Sequence, residues 1–110
     1  MPITAFLPAV YESENDPEFM AFVESNLGYI MTYDRGLHQS VEPVIAMKYT
    51  GDFYGLLHEL NILPIYYYVT LRCNGLKNTK DYEGVVTDVV IPNQEEFLRI
   101  LRIFESRDAS

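Results

Sequence analysis

The side chains that could make or break bonds are few: His38 and His58, the lone Cys73, some serines and a surplus of carboxylates. General acid–base catalysis needs a titratable group held beside its target. His58 stands next to Glu59, but adjacent helical positions point about 100° apart, so they make a poor proton relay or metal pair. No H-E-x-x-H and no Cys/His cluster occurs, so neither zinc nor any other metal site is expected. Ser13, Ser25, Ser40 and Cys73 lie in no G-x-S-x-G or Cys–His context that would activate a nucleophile. The glycines form neither a phosphate loop nor a dinucleotide fingerprint, so no cofactor is expected. These residues point away from catalysis. His38 is expected in solvent, His58 in a surface or packing role, and Cys73 as a small buried hydrophobe.

The aromatic set is more telling, with nine tyrosines and no tryptophan. Tyrosine combines a broad apolar face with a polar tip, which suits interfaces. In an extended segment Tyr66, Tyr67 and Tyr68 alternate between faces, so at least one is expected outside. With Tyr82 they are candidate interface residues. A second candidate set is Ile3, Phe6, Leu7, Val10 and Tyr11, in an apolar segment flanked by Pro2 and Pro8. Those prolines cannot donate to a sheet ladder, so the segment reads as an extended arm or an edge strand.

Helices and short strands must position these groups. Asp16-Pro17 looks like a helix start, with Phe19, Phe22, Val23 and Leu27 at helical spacing and Gly28 as a left-handed stop. Tyr29 to Tyr33 is a short strand candidate, closed by a turn at Arg35-Gly36. Ser40 can cap a helix carrying Val41, Val44, Ile45 and Tyr49, although the same residues could make a strand. Asp52 can cap the next, with Phe53, Leu56, Leu57 and Leu60 on one face. Gly55 inside it costs about 1 kcal/mol relative to Ala, which suggests close approach of another group.

Pro64 to Cys73 is rich in β-branched and aromatic residues and is expected as strand. The alternative is a helix opened by Pro64 and stopped at Asn74-Gly75. Lys77 to Gly84 reads as a loop and Val85 to Ile91 as a strand closed by Pro92. The clearest element is the last helix. Asn93 and Glu96 have capping-box spacing, Phe97, Ile100, Leu101 and Phe104 form one stripe, and Glu95, Arg99 and Arg102 face water.

A chain of 110 residues is one domain by size, and its 48% hydrophobic content suits a folded core. No apolar run approaches the roughly 18 residues of a membrane helix. The first residues lack the basic start and long apolar stretch of a secretory leader. With a lone cysteine, synthesis in a reducing cytosol is expected. The formal charge of −8 argues against nucleic acid as partner, because phosphate binding rests on clustered Lys and Arg. Glu12, Glu14, Asp16, Glu18 and Glu24 precede any base in the chain. They serve either solubility and helix starts or an acidic arm that docks on a basic neighbour or mimics nucleic acid.

Two phrases carry a resemblance. The first is Y-T-G-D-F-Y-G-L-L-H-E-L-N-I, with Tyr49, Gly51, Asp52, Leu57, Leu60 and Asn61. The second is L-R-C-N-G-L-K-N-T-K-D-Y-E-G-V-V-T-D-V-V-I-P, with Asn74, Gly75, Leu76, Asn78, Tyr82, Gly84, Ile91 and Pro92. Together they resemble the small LysM-like tail and baseplate-wedge proteins of bacteriophages, over residues 40–92. The resemblance implies a strand–helix–helix–strand module, here with an extra segment around residues 65–73. It implies a non-enzymatic virion building block that contacts other tail or baseplate proteins in multiple copies. The resemblance also allows a peptidoglycan-binding module, and the acidic charge offers a further alternative, an acidic phage-encoded inhibitor of a host protein that could mimic nucleic acid.

The fold expected is α+β, with short helices packed on a small sheet, an extended N-terminal arm and a C-terminal helix. Residues 1–36 would form the arm and first helix. Residues 37–110 would form the LysM-like module, within one compact domain overall.

Overall fold

The computed structural model describes residues 17–32 and 37–109. Among them are α1 (Pro17–Thr32), β1 (Leu37–Ser40), α2 (Pro43–Lys48), α3 (Phe53–Glu59), α4 (Tyr67–Cys73), β2 (Asp88–Ile91) and α5 (Gln94–Ala109). Single 3-10 turns, Pro64–Tyr66 and Thr79–Asp81, flank α4 and its following loop. The strands pair antiparallel, with Leu37 opposite Ile91 and Ser40 opposite Asp88. Helices packed on a small two-stranded sheet make this an α+β fold, as the residue patterns imply.

The centre of the molecule is α4. Tyr67, Tyr68, Val69, Thr70, Leu71 and Cys73 are all buried and only Arg72 is partly exposed, so this short helix is covered on nearly every side. α1, α3 and β2 pack around it. A helix buried on nearly every side has no amphipathic stripe to display. That is why residues 64–73, expected as strand, are helical instead. Pro64 sits in the opening 3-10 turn, and Gly75 takes the left-handed conformation (φ 77°) just past the end.

Two other expectations are corrected. The first helix does not stop at Gly28 but runs to Thr32, which removes the strand proposed over Tyr29 to Tyr33. Ile30, only 3% exposed, continues the buried face of Phe19, Phe22 and Val23, so packing overrides the glycine. The strand expected from Val85 is limited to Asp88–Ile91. Thr87 only lends its carbonyl to the Val41 amide (2.8 Å).

The caps explain where the short helices begin. Asp52 accepts a hydrogen bond from the Gly55 amide (3.0 Å), as expected of an N-cap. An added Cβ at Gly55 would strike the Asp52 carboxylate and come within 2.9 Å of Tyr49 Cδ1, so a side chain there would have to displace the Asp52 cap and the Tyr49 ring. α2 starts later than expected. Ser40 belongs to β1, Glu42 occupies the cap position without a side-chain bond, and Pro43 opens the helix. Asn93 Oδ1 accepts from the Glu96 amide (2.9 Å), the expected cap of α5. The Glu96 side chain turns to Tyr29 and Arg99 instead of closing the capping box.

The two phrases that carry the resemblance meet in space. The Gly51 amide donates to the Tyr82 carbonyl (2.7 Å). Gly84 (φ 80°) lies so close to α2 that an added Cβ would collide with Thr50 Oγ1 and stand 3.1 Å from the Ala46 carbonyl.

Candidate interaction surfaces

The expected interface tyrosines lie inside the protein's own core. Tyr66, Tyr67, Tyr68 and Tyr82 are all buried. The outward-facing member of the triplet does not exist, because a helix covered on nearly every side replaced the two-faced strand. Tyr66 sits edge-on to Phe97 (centroids 6.0 Å), Tyr67 meets Tyr54 (5.1 Å) and Tyr82 meets Phe53 (5.4 Å). Burial pushes the Tyr66, Tyr68 and Tyr82 hydroxyls above their ordinary pKa. Ile3, Phe6, Leu7, Val10 and Tyr11, and the helix start at Asp16, lie outside the described residues.

The hydroxyls of Tyr68 and Tyr82 are tied to neighbours. The Tyr68 hydroxyl donates to Glu24 (3.2 Å), which also takes a two-pronged grip from Arg72, Nε at 2.6 Å and Nη2 at 3.0 Å. Arg72 Nη1 reaches on to the Leu76 carbonyl (2.8 Å). The Arg72 hydrogen bonds hold the Glu24 carboxyl below its ordinary pKa. This cluster fastens α1 to α4 across 48 residues of sequence. The Tyr82 hydroxyl donates to the Val86 carbonyl (2.7 Å) and ties the 82–86 turn.

At the surface, Glu96 accepts from Arg99 and from the Tyr29 hydroxyl, joining α5 to α1. Arg99 foremost, then Tyr29, pulls its carboxyl down to about 2. His38 is exposed, as expected, and its Nδ1 lies 2.9 Å from Asp88 Oδ2 on the neighbouring strand. His58 is exposed; the adjacent Glu59 accepts from the Tyr49 hydroxyl (2.7 Å). Cys73 is buried among apolar groups, which pushes its thiol up to about 11. Among the described residues no three His, Cys, Asp or Glu side chains could hold a metal ion. No described helix is long and apolar enough to cross a membrane.

Three surfaces stand out. An open groove of about 650 Å³ runs between α1 and α5, with Ala21, Phe22 and Ser25 on one bank and Ile100, Ile103 and Phe104 on the other. Its floor is aromatic: Phe22 stacks on Phe104 with centroids 4.6 Å apart. On α2, Val44 and Met47, one turn apart, are 66% and 68% exposed. Beside α2, where Gly84 packs on Ala46 and Thr50, Val85 and Val86 are 71% and 48% exposed. The third surface is a smaller cavity of about 170 Å³ behind these valines. None of these surfaces was anticipated from the sequence. In the sequence Val44 falls on the apolar side of a helix and Val85 in a strand, so nothing there signals their exposure.

Comparison with known proteins finds no family model, no curated protein and no solved structure that matches the chain.

Proposed function

We propose that this protein is a non-enzymatic interaction module, a structural part of a phage tail or baseplate that joins neighbouring subunits through apolar faces. The observation that carries the reading is the placing of Val44, Met47, Val85 and Val86. These large apolar side chains face solvent on two segments that pack side by side. Scattered single exposures are ordinary, but several on neighbouring elements mark contact surfaces. The α1/α5 groove adds a second such face.

The order of elements from β1 to β2 also supports it. A strand, two short helices and a returning strand that pairs with the first follow the LysM-like arrangement, with α4 as the added segment. Left-handed Gly51, Gly75 and Gly84 give the two resembling phrases concrete roles at helix ends and at the α2 contact. The N-terminal residues Ile3, Phe6, Leu7, Val10 and Tyr11 are the third proposed contact, an arm laid on another virion protein.

The test is to purify the chain alone and with the tail and baseplate proteins of its phage, then to measure mass by light scattering. Association with one of them, weakened by charged substitutions at Val44 and Met47, is the expected result. A sharp monomer with no affinity for any tail protein would overturn the proposal. Retention on insoluble peptidoglycan in place of protein association would favour the glycan-binding alternative.

A further inference from the structure

The cavity behind Val85 and Val86 is built from residues far apart in the chain. Phe53 comes from the first turn of α3, Leu76 from just beyond the end of α4, and Tyr82, Val85 and Val86 from the turn that leads to β2. Its frame is held from several sides. The Tyr82 hydroxyl bonds the Val86 carbonyl and the Tyr82 carbonyl takes the Gly51 amide. Asn74, also on the wall, is locked to Thr70 and Val90 by three side-chain bonds. The cavity therefore exists before anything enters it.

Its size and chemistry select the occupant. At about 170 Å³ it lies below the roughly 300 Å³ at which small-molecule sites begin, so it suits one long side chain. The walls are apolar and aromatic, and the charged groups lining it are both acidic, Asp81 and Glu83. Both are exposed, and among the described residues neither side chain has a hydrogen-bond or ion-pair partner. Lys77 and Lys80 are on the same loop, but neither lines the cavity. A hydrophobic slot that also carries unpaired carboxylates in its lining complements a side chain with an aliphatic stem and a cationic head.

We propose that this cavity receives a single lysine or arginine side chain of a partner protein, with the stem between Leu76, Val85 and Val86 and the cationic head on Asp81 and Glu83. The exposed valines then form the apolar rim that excludes water from the anchor. This deepens the reading of the chain as an interaction module and rests on it for the identity of the partner as a protein. The slot itself is testable without any partner.

The probes are the capped peptides Gly-Gly-Lys-Gly-Gly and Gly-Gly-Arg-Gly-Gly, with a citrulline peptide as the uncharged control. They are titrated into the full chain while backbone amide shifts are followed by NMR. The expected result is saturable shifts centred on residues 76–86 with at least one basic peptide and none with citrulline. The double variant D81N/E83Q, altered only at exposed side chains, is expected to keep the wild-type spectrum elsewhere. It should weaken the affinity about fivefold, the scale of two exposed ion pairs. Absent shifts at millimolar peptide, shifts centred elsewhere, or equal binding by D81N/E83Q overturns the proposal. Failure here leaves association through α2 and the α1/α5 groove standing, whereas peptide binding by a chain that joins no tail protein separates the slot from the assembly role.

Discussion

Replacing Asn74 with alanine should cost more than any other single polar substitution in the described part of this protein. The Asn74 side chain follows α4 and lies against β2. Its Nδ2 donates to the Thr70 carbonyl (2.7 Å) and to the Val90 carbonyl (2.8 Å), and its Oδ1 accepts from the Val90 amide (2.8 Å). It thereby satisfies both backbone groups of Val90 on the side of β2 away from β1, as a third strand would. An unpaired strand edge otherwise presents such groups to water or to another chain.

Each net hydrogen bond is worth about 1 kcal/mol. The Thr70 carbonyl keeps a second donor, the Asn74 amide at 3.2 Å, so its loss is partial. The Val90 groups are half-buried and are only partly rescued by water. The sum is about 2 to 3 kcal/mol. With a urea slope of about 1.5 kcal/mol per molar for a chain of this size, the midpoint should fall by about 1.5 to 2 M at constant slope. Amide exchange should show Val90 losing protection. N74D should be at least as damaging, because a carboxylate oxygen would face the Thr70 and Val90 carbonyls. A loss under about 0.5 kcal/mol for N74A, with Val90 protection unchanged, would refute the idea that this side chain substitutes for a strand.

Three further outcomes are expected. Because Arg72 lowers the Glu24 pKa in the folded state, the stability advantage of wild type over E24Q should be full above the unfolded value of about 4.5 and vanish as pH falls through the lower native value; since Glu24 is partly exposed, its size is on the order of 1 kcal/mol, and urea melts at pH 7 and pH 2.5 that give equal differences would contradict it. The Cys73 thiol, pushed up to about 11, holds roughly a hundredfold less thiolate at pH 8 than an ordinary cysteine, so a thiol-reactive disulfide reagent should label it slowly in buffer and rapidly in urea, and equal rates would place it at the surface. G84A should lose about 2 to 3 kcal/mol from its positive φ and its collision with α2; calorimetry of G84A/T50A should recover part of this, and a G84A chain as stable as wild type would show that the 82–86 turn does not press on α2.

Local punctuation was the legible part of the fold. Asp52 and Asn93 act within a few residues of themselves, so their capping roles follow from spacing alone. Residues 64–73 read as strand because a helix buried on nearly every side shows no 3.6-residue stripe, and its Tyr and Val content then favours strand. Gly28 was misread as a stop because the tertiary burial of Ile30, which carries α1 onward, is invisible locally. The surfaces were less legible than the elements. The Glu24–Arg72 grip and the slot around Tyr82 join residues that only the fold brings together. The tyrosine run, with the strongest compositional signal, proved to be core because aromatic content speaks for burial before it speaks for contact with partners.

The most direct test of the proposed tail or baseplate role is quantitative mass spectrometry of purified virions of a phage whose genome carries this sequence, with tail and baseplate proteins as internal standards. The account predicts peptides of this chain at a fixed ratio to a baseplate protein, retained after washing in high salt because the contacts are apolar. Its absence from particles while abundant in the infected cell would contradict the account.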